Sequence, residues 1–271
     1  MKILVSSEWL NENIHIQDLI ILNASQKTNP VKKDTTIENL QIKNARDFNL
    51  KENFSDTTSL FPNTLPSVET FEKESRILGI NNSSVIVIYD DKGLFFSPRV
   101  WWMFKVMGHR KVYVLDGGLT DWKQKGFLTE PKVTSHCAKG DFTATFNSEM
   151  IKSMDAIKKN IRQKNELLID VRNSKRFTGI APEPRMNIPS GSIKNSINIP
   201  YESVLENGNY KHREALTEIF KAHNIDYRPL IFSCGSGITA CIVLLASELV
   251  LSNKKSVYDG SWTEWATNQV K

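Results

Sequence analysis

The sequence predicts an α/β protein made of two tandem domains, each a mainly parallel sheet flanked by helices. Two observations carry that prediction. Short apolar strands alternate with helical segments along the chain, and the order of landmarks in the first half returns in the second. Strand and helix in alternation is the pattern of a parallel sheet covered on both faces. With 271 residues and 40% hydrophobic content, the chain can bury a sizeable core in each of about two domains.

In the first copy Leu19-Ile20-Ile21-Leu22-Asn23 reads as a strand and is followed by the landmark Ile42-Lys43-Asn44-Ala45. Val85-Ile86-Val87-Ile88-Tyr89 is the next strand. It leads into Asp90, a glycine-containing turn and a helical stretch around Trp101-Trp102-Met103-Phe104. Lys111-Val112-Tyr113-Val114-Leu115 then ends in Asp116-Gly117-Gly118.

The second copy repeats this order. Glu166-Leu167-Leu168-Ile169-Asp170 matches the first strand and Ile193-Lys194-Asn195-Ser196 the second landmark. Pro229-Leu230-Ile231-Phe232-Ser233 leads into Cys234, a Gly-rich turn and an apolar helix expected from Ile238 to Leu249; Ser256-Val257-Tyr258 then precedes Asp259-Gly260-Ser261. Asp90 maps onto Cys234, and Asp116 onto Asp259, at offsets that agree to within one residue. One unit has been duplicated. A polar stretch with Pro131 and Gly140 but no apolar period separates the copies. The domains are therefore expected at 1–130 and 149–271, with a linker over 131–148.

Charged residues form 24% of the chain and the net charge is +5, too small and dispersed for a polynucleotide partner but able to attract a small anion. No stretch approaches the roughly 18 apolar residues that span a bilayer. The opening Met-Lys-Ile-Leu-Val-Ser-Ser-Glu-Trp-Leu also lacks a signal-peptide core. The expectation is a soluble, cytoplasmic protein with neither nucleic acid nor membrane as a partner. Cys137, Cys234 and Cys241 are odd in number and lack CxxC spacing, which argues against a disulfide framework or a zinc site.

Cys234-Gly235-Ser236-Gly237-Ile238-Thr239 lies between a buried strand and an apolar helix. The backbone N–H groups of such a turn converge at a helix N-terminus and stabilise an anion. A cysteine placed there is favoured as thiolate and becomes nucleophilic. Gly235 and Gly237 allow backbone angles that a side chain would obstruct, and the hydroxyls of Ser236 and Thr239 offer further hydrogen bonds. Cys241, within an apolar run, and Cys137, beside His136 with no companion ligand, read as packing residues. Trp101, Trp102, Trp122, Trp262 and Trp265 do likewise, while Lys32-Lys33 and Lys254-Lys255 read as solvated loops.

These residues resemble the rhodanese superfamily in its tandem form. The resemblance runs through Gly93, Arg99, Trp101-Trp102, Gly108-His109 and Leu115-Asp116-Gly117-Gly118-Leu119 in the first copy. In the second it runs through Asp170, Arg176-Phe177-Thr178-Gly179, Glu183-Pro184-Arg185 and Asn198-Ile199-Pro200. The loop is similar to the CGSG(V/I)TA signature of members that use 3-mercaptopyruvate, and differs from the CRKGVTA signature of those that use thiosulfate. With Asp90 at the nucleophile's place, the first domain is expected to be catalytically silent.

The resemblance implies a sulfurtransferase that needs no metal or organic cofactor. A Cys234 persulfide would form from a small-molecule sulfur donor and pass its outer sulfur to a thiol acceptor such as thioredoxin or glutathione, or to cyanide. Arg176 and Arg185 match the family's two substrate arginines, and Gly235, Gly237, Ile238 and Thr239 would line the donor's site. Ser236 would either polarise the donor's ketone or relay a proton, and Asp170 would fix the loop from the end of its strand. Thiosulfate is the alternative donor, disfavoured because Gly235 and Ser236 supply no cation. The family's aspartate in the first domain has two candidates here, Glu52 and Asp56, around an apparent one-residue insertion. A cysteine phosphatase is disfavoured because Ala240 stands where its phosphate-gripping arginine would be.

Overall fold

The computed structural model describes residues 3–26, 39–133 and 137–269. Lys32, Lys33 and His136 lie outside the described residues. The chain forms two compact units, one of Met1–Thr57, Leu65–Asn147 and Asn207–Tyr210, the other of Thr58–Thr64, Ser148–Glu206 and Lys211–Lys271.

The N-terminal unit carries strands β1 (Leu4–Val5), β2 (Leu19–Asn23), β3 (Arg46–Asp47), β4 (Val85–Tyr89) and β5 (Val112–Leu115). They form a parallel sheet in the order β1-β5-β4-β2-β3. Its helices are α1 (Ser7–Asn13), α2 (Val68–Ile77), α3 (Ser97–Val106) and α4 (Gly118–Gln124). The C-terminal unit carries β6 (Ile151–Lys152), β7 (Leu167–Asp170), β8 (Ser196–Asn198), β9 (Leu230–Ser233) and β10 (Lys255–Tyr258). These are again parallel, in the order β6-β10-β9-β7-β8. Around them lie α5 (Met154–Gln163), α6 (Ser174–Phe177), α7 (Arg213–Ala222), α8 (Ala240–Val250) and α9 (Ser261–Gln269). The two strand orders are identical, so the repeat legible in the sequence is a repeat of topology.

The central strands β4 and β9 are covered on both faces, with Ile86, Val87, Ile88, Leu230, Ile231 and Phe232 fully buried. That is why both appear in the sequence as unbroken apolar runs instead of alternating ones. Register makes the copies comparable residue by residue. Asn23 lies across from Tyr89, and Asp170 across from Ser233, so Asn23 and Asp170 hold the same place one step before Asp90 and Cys234.

All five tryptophans assigned to packing are buried. Within the expected linker, Phe142 is 1% exposed and meets Phe71 and Phe104 with ring centroids 5.9 and 6.1 Å apart. Gly140 makes this approach possible, since a Cβ there would fall 2.1 Å from the Ile80 carbonyl oxygen. Helix α8 starts at Ala240, two residues later than expected, because Gly237 at φ +81° takes the backbone out of the helical path.

Candidate active site

Cys234 is the first residue beyond β9 and is 2% exposed. Its N–H donates to Ser261 Oγ at 3.2 Å, and its carbonyl accepts from Trp262 N at 2.9 Å. Ser261 holds a left-handed φ of +52°, costly for a residue with a side chain, in the place where the first copy has Gly118 at +57°. Its hydroxyl offsets that strain by taking the Cys234 N–H while donating to Tyr258 O at 2.8 Å.

The turn that follows is rich in unengaged donors. Among the described residues, the N–H groups of Gly235, Ser236, Ile238 and Thr239 find no acceptor in the chain. Gly235 accepts at its carbonyl from Thr263 N at 3.0 Å and Thr263 Oγ1 at 2.6 Å, which ties the turn to α9. The first copy reveals what such a turn holds. There Asp90, fully buried, accepts from Lys92 N at 2.8 Å on one oxygen and from Phe96 N, Ser97 N and Ser97 Oγ at 2.9, 2.8 and 2.8 Å on the other. The strand-turn-helix unit is an anion cradle. In the first copy a carboxylate of the chain fills it; in the second the Cys234 thiol takes the carboxylate's place in the sequence of strand, turn and helix.

Two guanidinium groups converge beside that thiol. A Cβ on Gly235 would lie 3.4 Å from Arg176 Nη2 and 3.6 Å from Arg185 Nη1, which places both guanidiniums beside the residue next to Cys234. Arg176 is oriented by Glu183, whose carboxylate it shares with Arg172: Arg172 Nη1 meets Oε1 at 2.6 Å and Arg176 Nη2 meets Oε2. Arg172, 1% exposed, is in turn held by Asp170 at 2.6 Å, by the Gly191 carbonyl at 2.6 Å and by the Trp262 ring at 4.2 Å. Arg176 Nε finds no partner among the described residues, and no carboxylate there pairs with Arg185. The exposed Arg185 instead donates from Nη2 to Ser236 Oγ at 3.2 Å.

Two expectations change. Asp170 anchors Arg172 instead of the cysteine loop, since both its oxygens lie within 3.0 Å of that guanidinium. Burial pushes its carboxyl up while Arg172 pulls it down. Among the described residues the Thr239 hydroxyl finds no hydrogen-bond partner and does not cap α8, so the further hydrogen bond expected of it is not made within the chain. Ile238, in the same turn, is 8% exposed. Cys241 is fully buried with Sγ 3.5 Å from Gly237 O, and Cys137 donates to Ile77 O at 3.4 Å. Glu52 and Asp56 both belong to the N-terminal unit, where Glu52 accepts from Asn49 Nδ2 at 2.6 Å.

The sequence did not single out Arg172, Ser261, Thr263 or Asn63, which also reaches Ser236. Arg172 carried a faint signal, as a cation two residues past an aspartate at the end of an apolar strand. Asn63 carried none, since its loop lies far from Cys234 in the chain. Among the described residues no group of three or more His, Cys, Asp or Glu could hold a metal ion, and no helix is long and apolar enough to cross a membrane.

Fold and site together define a duplicated α/β protein with one thiol-bearing and one carboxylate-bearing anion loop. The Rhodanese-like domain matches the chain twice, at residues 6–125 and 153–268. Human 3-mercaptopyruvate sulfurtransferase is 36% identical over 275 residues, covering 97% of this chain and 92% of the relative. Rat thiosulfate sulfurtransferase is 37% identical over 279 residues, with the same 97% and 92% coverage. The crystal structure of SseA, a 3-mercaptopyruvate sulfotransferase from Escherichia coli, superposes with a TM-score of 0.85 at 32% identity, covering 97% of this chain and 99% of that one. The chain belongs to the rhodanese family.

Proposed function

We propose that this protein is a sulfurtransferase that moves the sulfur of 3-mercaptopyruvate through a persulfide on Cys234. The observation that carries the reading is the pairing of an amide-lined turn after Cys234 with two guanidiniums at its rim, while the turn itself supplies no cation. A dianionic donor such as thiosulfate suits a loop with its own positive charge. Mercaptopyruvate brings one planar carboxylate, which suits arginine's forked donors at Arg176 and Arg185.

The Cys234 thiolate attacks the donor's sulfur, and the S–C bond breaks with its electron pair passing to carbon as the enolate of pyruvate. The proton from the donor's thiol ends on that carbon, pyruvate leaves, and Cys234 carries a persulfide. The loop amides stabilise the persulfide anion, and Ser236 donates to the ketone oxygen as its charge grows. A thiol acceptor such as thioredoxin or glutathione, or cyanide, then takes the outer sulfur and restores the thiolate. No metal or organic cofactor enters these steps, and a cytoplasmic setting with reduced thiols fits the acceptor chemistry.

The likeness to rat thiosulfate sulfurtransferase favours a second reading with thiosulfate as donor. Steady-state assays with each donor separate the two. A larger kcat/KM for 3-mercaptopyruvate supports the first reading; the reverse order would replace it with the second.

A further inference from the structure

We propose that Asn63 is a positioning residue that, with Arg185, fixes the direction in which Ser236 donates its proton. The inference rests on the sulfurtransferase reading and deepens it. Asn63 sits in Thr58–Thr64, the segment of the first half of the chain that packs into the C-terminal unit. A local network holds it there: Phe61 N donates to Ser59 Oγ at 3.1 Å, Thr64 Oγ1 donates to Phe61 O at 2.9 Å, and the Ser59 and Thr64 hydroxyls are 2.9 Å apart. Asn63 adopts φ +62°, a left-handed conformation that asparagine tolerates well.

From that turn Asn63 Nδ2 donates to Ser236 Oγ at 3.0 Å and approaches Ser236 O at 3.4 Å. Arg185 Nη2 donates to the same Oγ at 3.2 Å. A hydroxyl has two acceptor positions and one proton. The amide and the guanidinium occupy both acceptor positions, so the Ser236 proton points away from both. Ser236 is 9% exposed and its hydroxyl donates to no group among the described residues. The proton is thus free for the oxygen of an incoming ketone, beside Cys234. Removing Asn63 lets the hydroxyl turn, which weakens an interaction that grows as the enolate forms and so lowers kcat more than it raises KM.

The test measures kcat and KM with both donors for wild type, Asn63→Ala, Ser236→Ala and the double variant. Thiosulfate has no carbonyl and serves as the internal comparison. Asn63→Ala is expected to lose about fivefold in kcat with mercaptopyruvate, the worth of one neutral hydrogen bond, and markedly less with thiosulfate. In the Ser236→Ala background the same change is expected to add less than about twofold, because the two residues act as one unit. Asn63→Asp keeps the shape and the left-handed preference but turns the donor into an acceptor, and is expected to lose at least as much kcat as Asn63→Ala. An unchanged kcat in Asn63→Asp, equal losses with both donors, or an undiminished effect in the Ser236→Ala background would overturn the assignment. A wild-type enzyme that takes no sulfur from mercaptopyruvate would instead contradict the proposed function.

Discussion

Asp90 and Cys234 occupy the same point in two sheets of identical topology: each follows a central strand, and each offers its carbonyl to a backbone amide, Leu119 N at 3.0 Å and Trp262 N at 2.9 Å. The duplicated framework has been kept while the chemistry at its centre has diverged. In the first copy the anion is built in; in the second the turn is left to receive one.

Asp90 is therefore expected to be structural. Asp90→Ala removes the acceptor for three backbone N–H groups, that of Lys92 in the turn and those of Phe96 and Ser97 at the start of α3, and should cost about 1–3 kcal/mol of stability. Urea denaturation checks the loss, and the sulfur-transfer rate of the protein that remains folded should stay near that of wild type.

Arg172 should be among the costliest residues to replace. It is the cation between the buried carboxylates of Asp170 and Glu183, and Arg172→Met leaves Asp170 without its ion pair and Glu183 with Arg176 alone. Loss of a buried partner of this kind costs about 3–5 kcal/mol. The unfolding midpoint should fall accordingly, and donor use should weaken with it, because Glu183 also orients Arg176.

Arg176→Ala and Arg185→Ala should each reduce kcat/KM for mercaptopyruvate by about 1.5–3 kcal/mol, the worth of a charge-assisted contact to a carboxylate. Arg176→Lys should recover little, because one ammonium cannot hold Glu183 and a second carboxylate in the planar geometry of a guanidinium. Steady-state kinetics with 3-mercaptopyruvate decide both points.

The two glycines of the turn should fail in different ways. Gly237, at φ +81°, does not accept a side chain without strain, so Gly237→Ala should lower stability by about 1–2 kcal/mol. Gly235 lies outside the left-handed region, and a methyl there would meet Arg176 and Arg185 at ordinary contact distances. Gly235→Ala should fold with near wild-type stability and raise KM for the donor, which unfolding curves and kinetics resolve separately.

Much of the architecture was legible because parallel strands buried on both faces leave continuous apolar runs, and a duplication writes those runs twice. The loop at Cys234 was legible for a related reason, since strand, glycine turn and helix are contiguous in the chain. Contacts between distant segments were not. Asn63 reaches Ser236 from a loop far away in sequence, and no periodicity encodes that. Asp170 was expected to brace the cysteine loop, but its carboxylate points at Arg172, whose burial against Trp262 depends on tertiary packing. Helix α8 began late because a single left-handed glycine outweighs the apolar pattern that runs through Ile238.

The most direct test is the intact mass of the protein after brief exposure to 3-mercaptopyruvate without acceptor. One added sulfur atom, removed by a thiol reductant, retained in Cys241→Ser and lost in Cys234→Ser, is the predicted result. A protein that gains no sulfur, or gains it equally in Cys234→Ser, would contradict the assignment of Cys234 as the sulfur carrier.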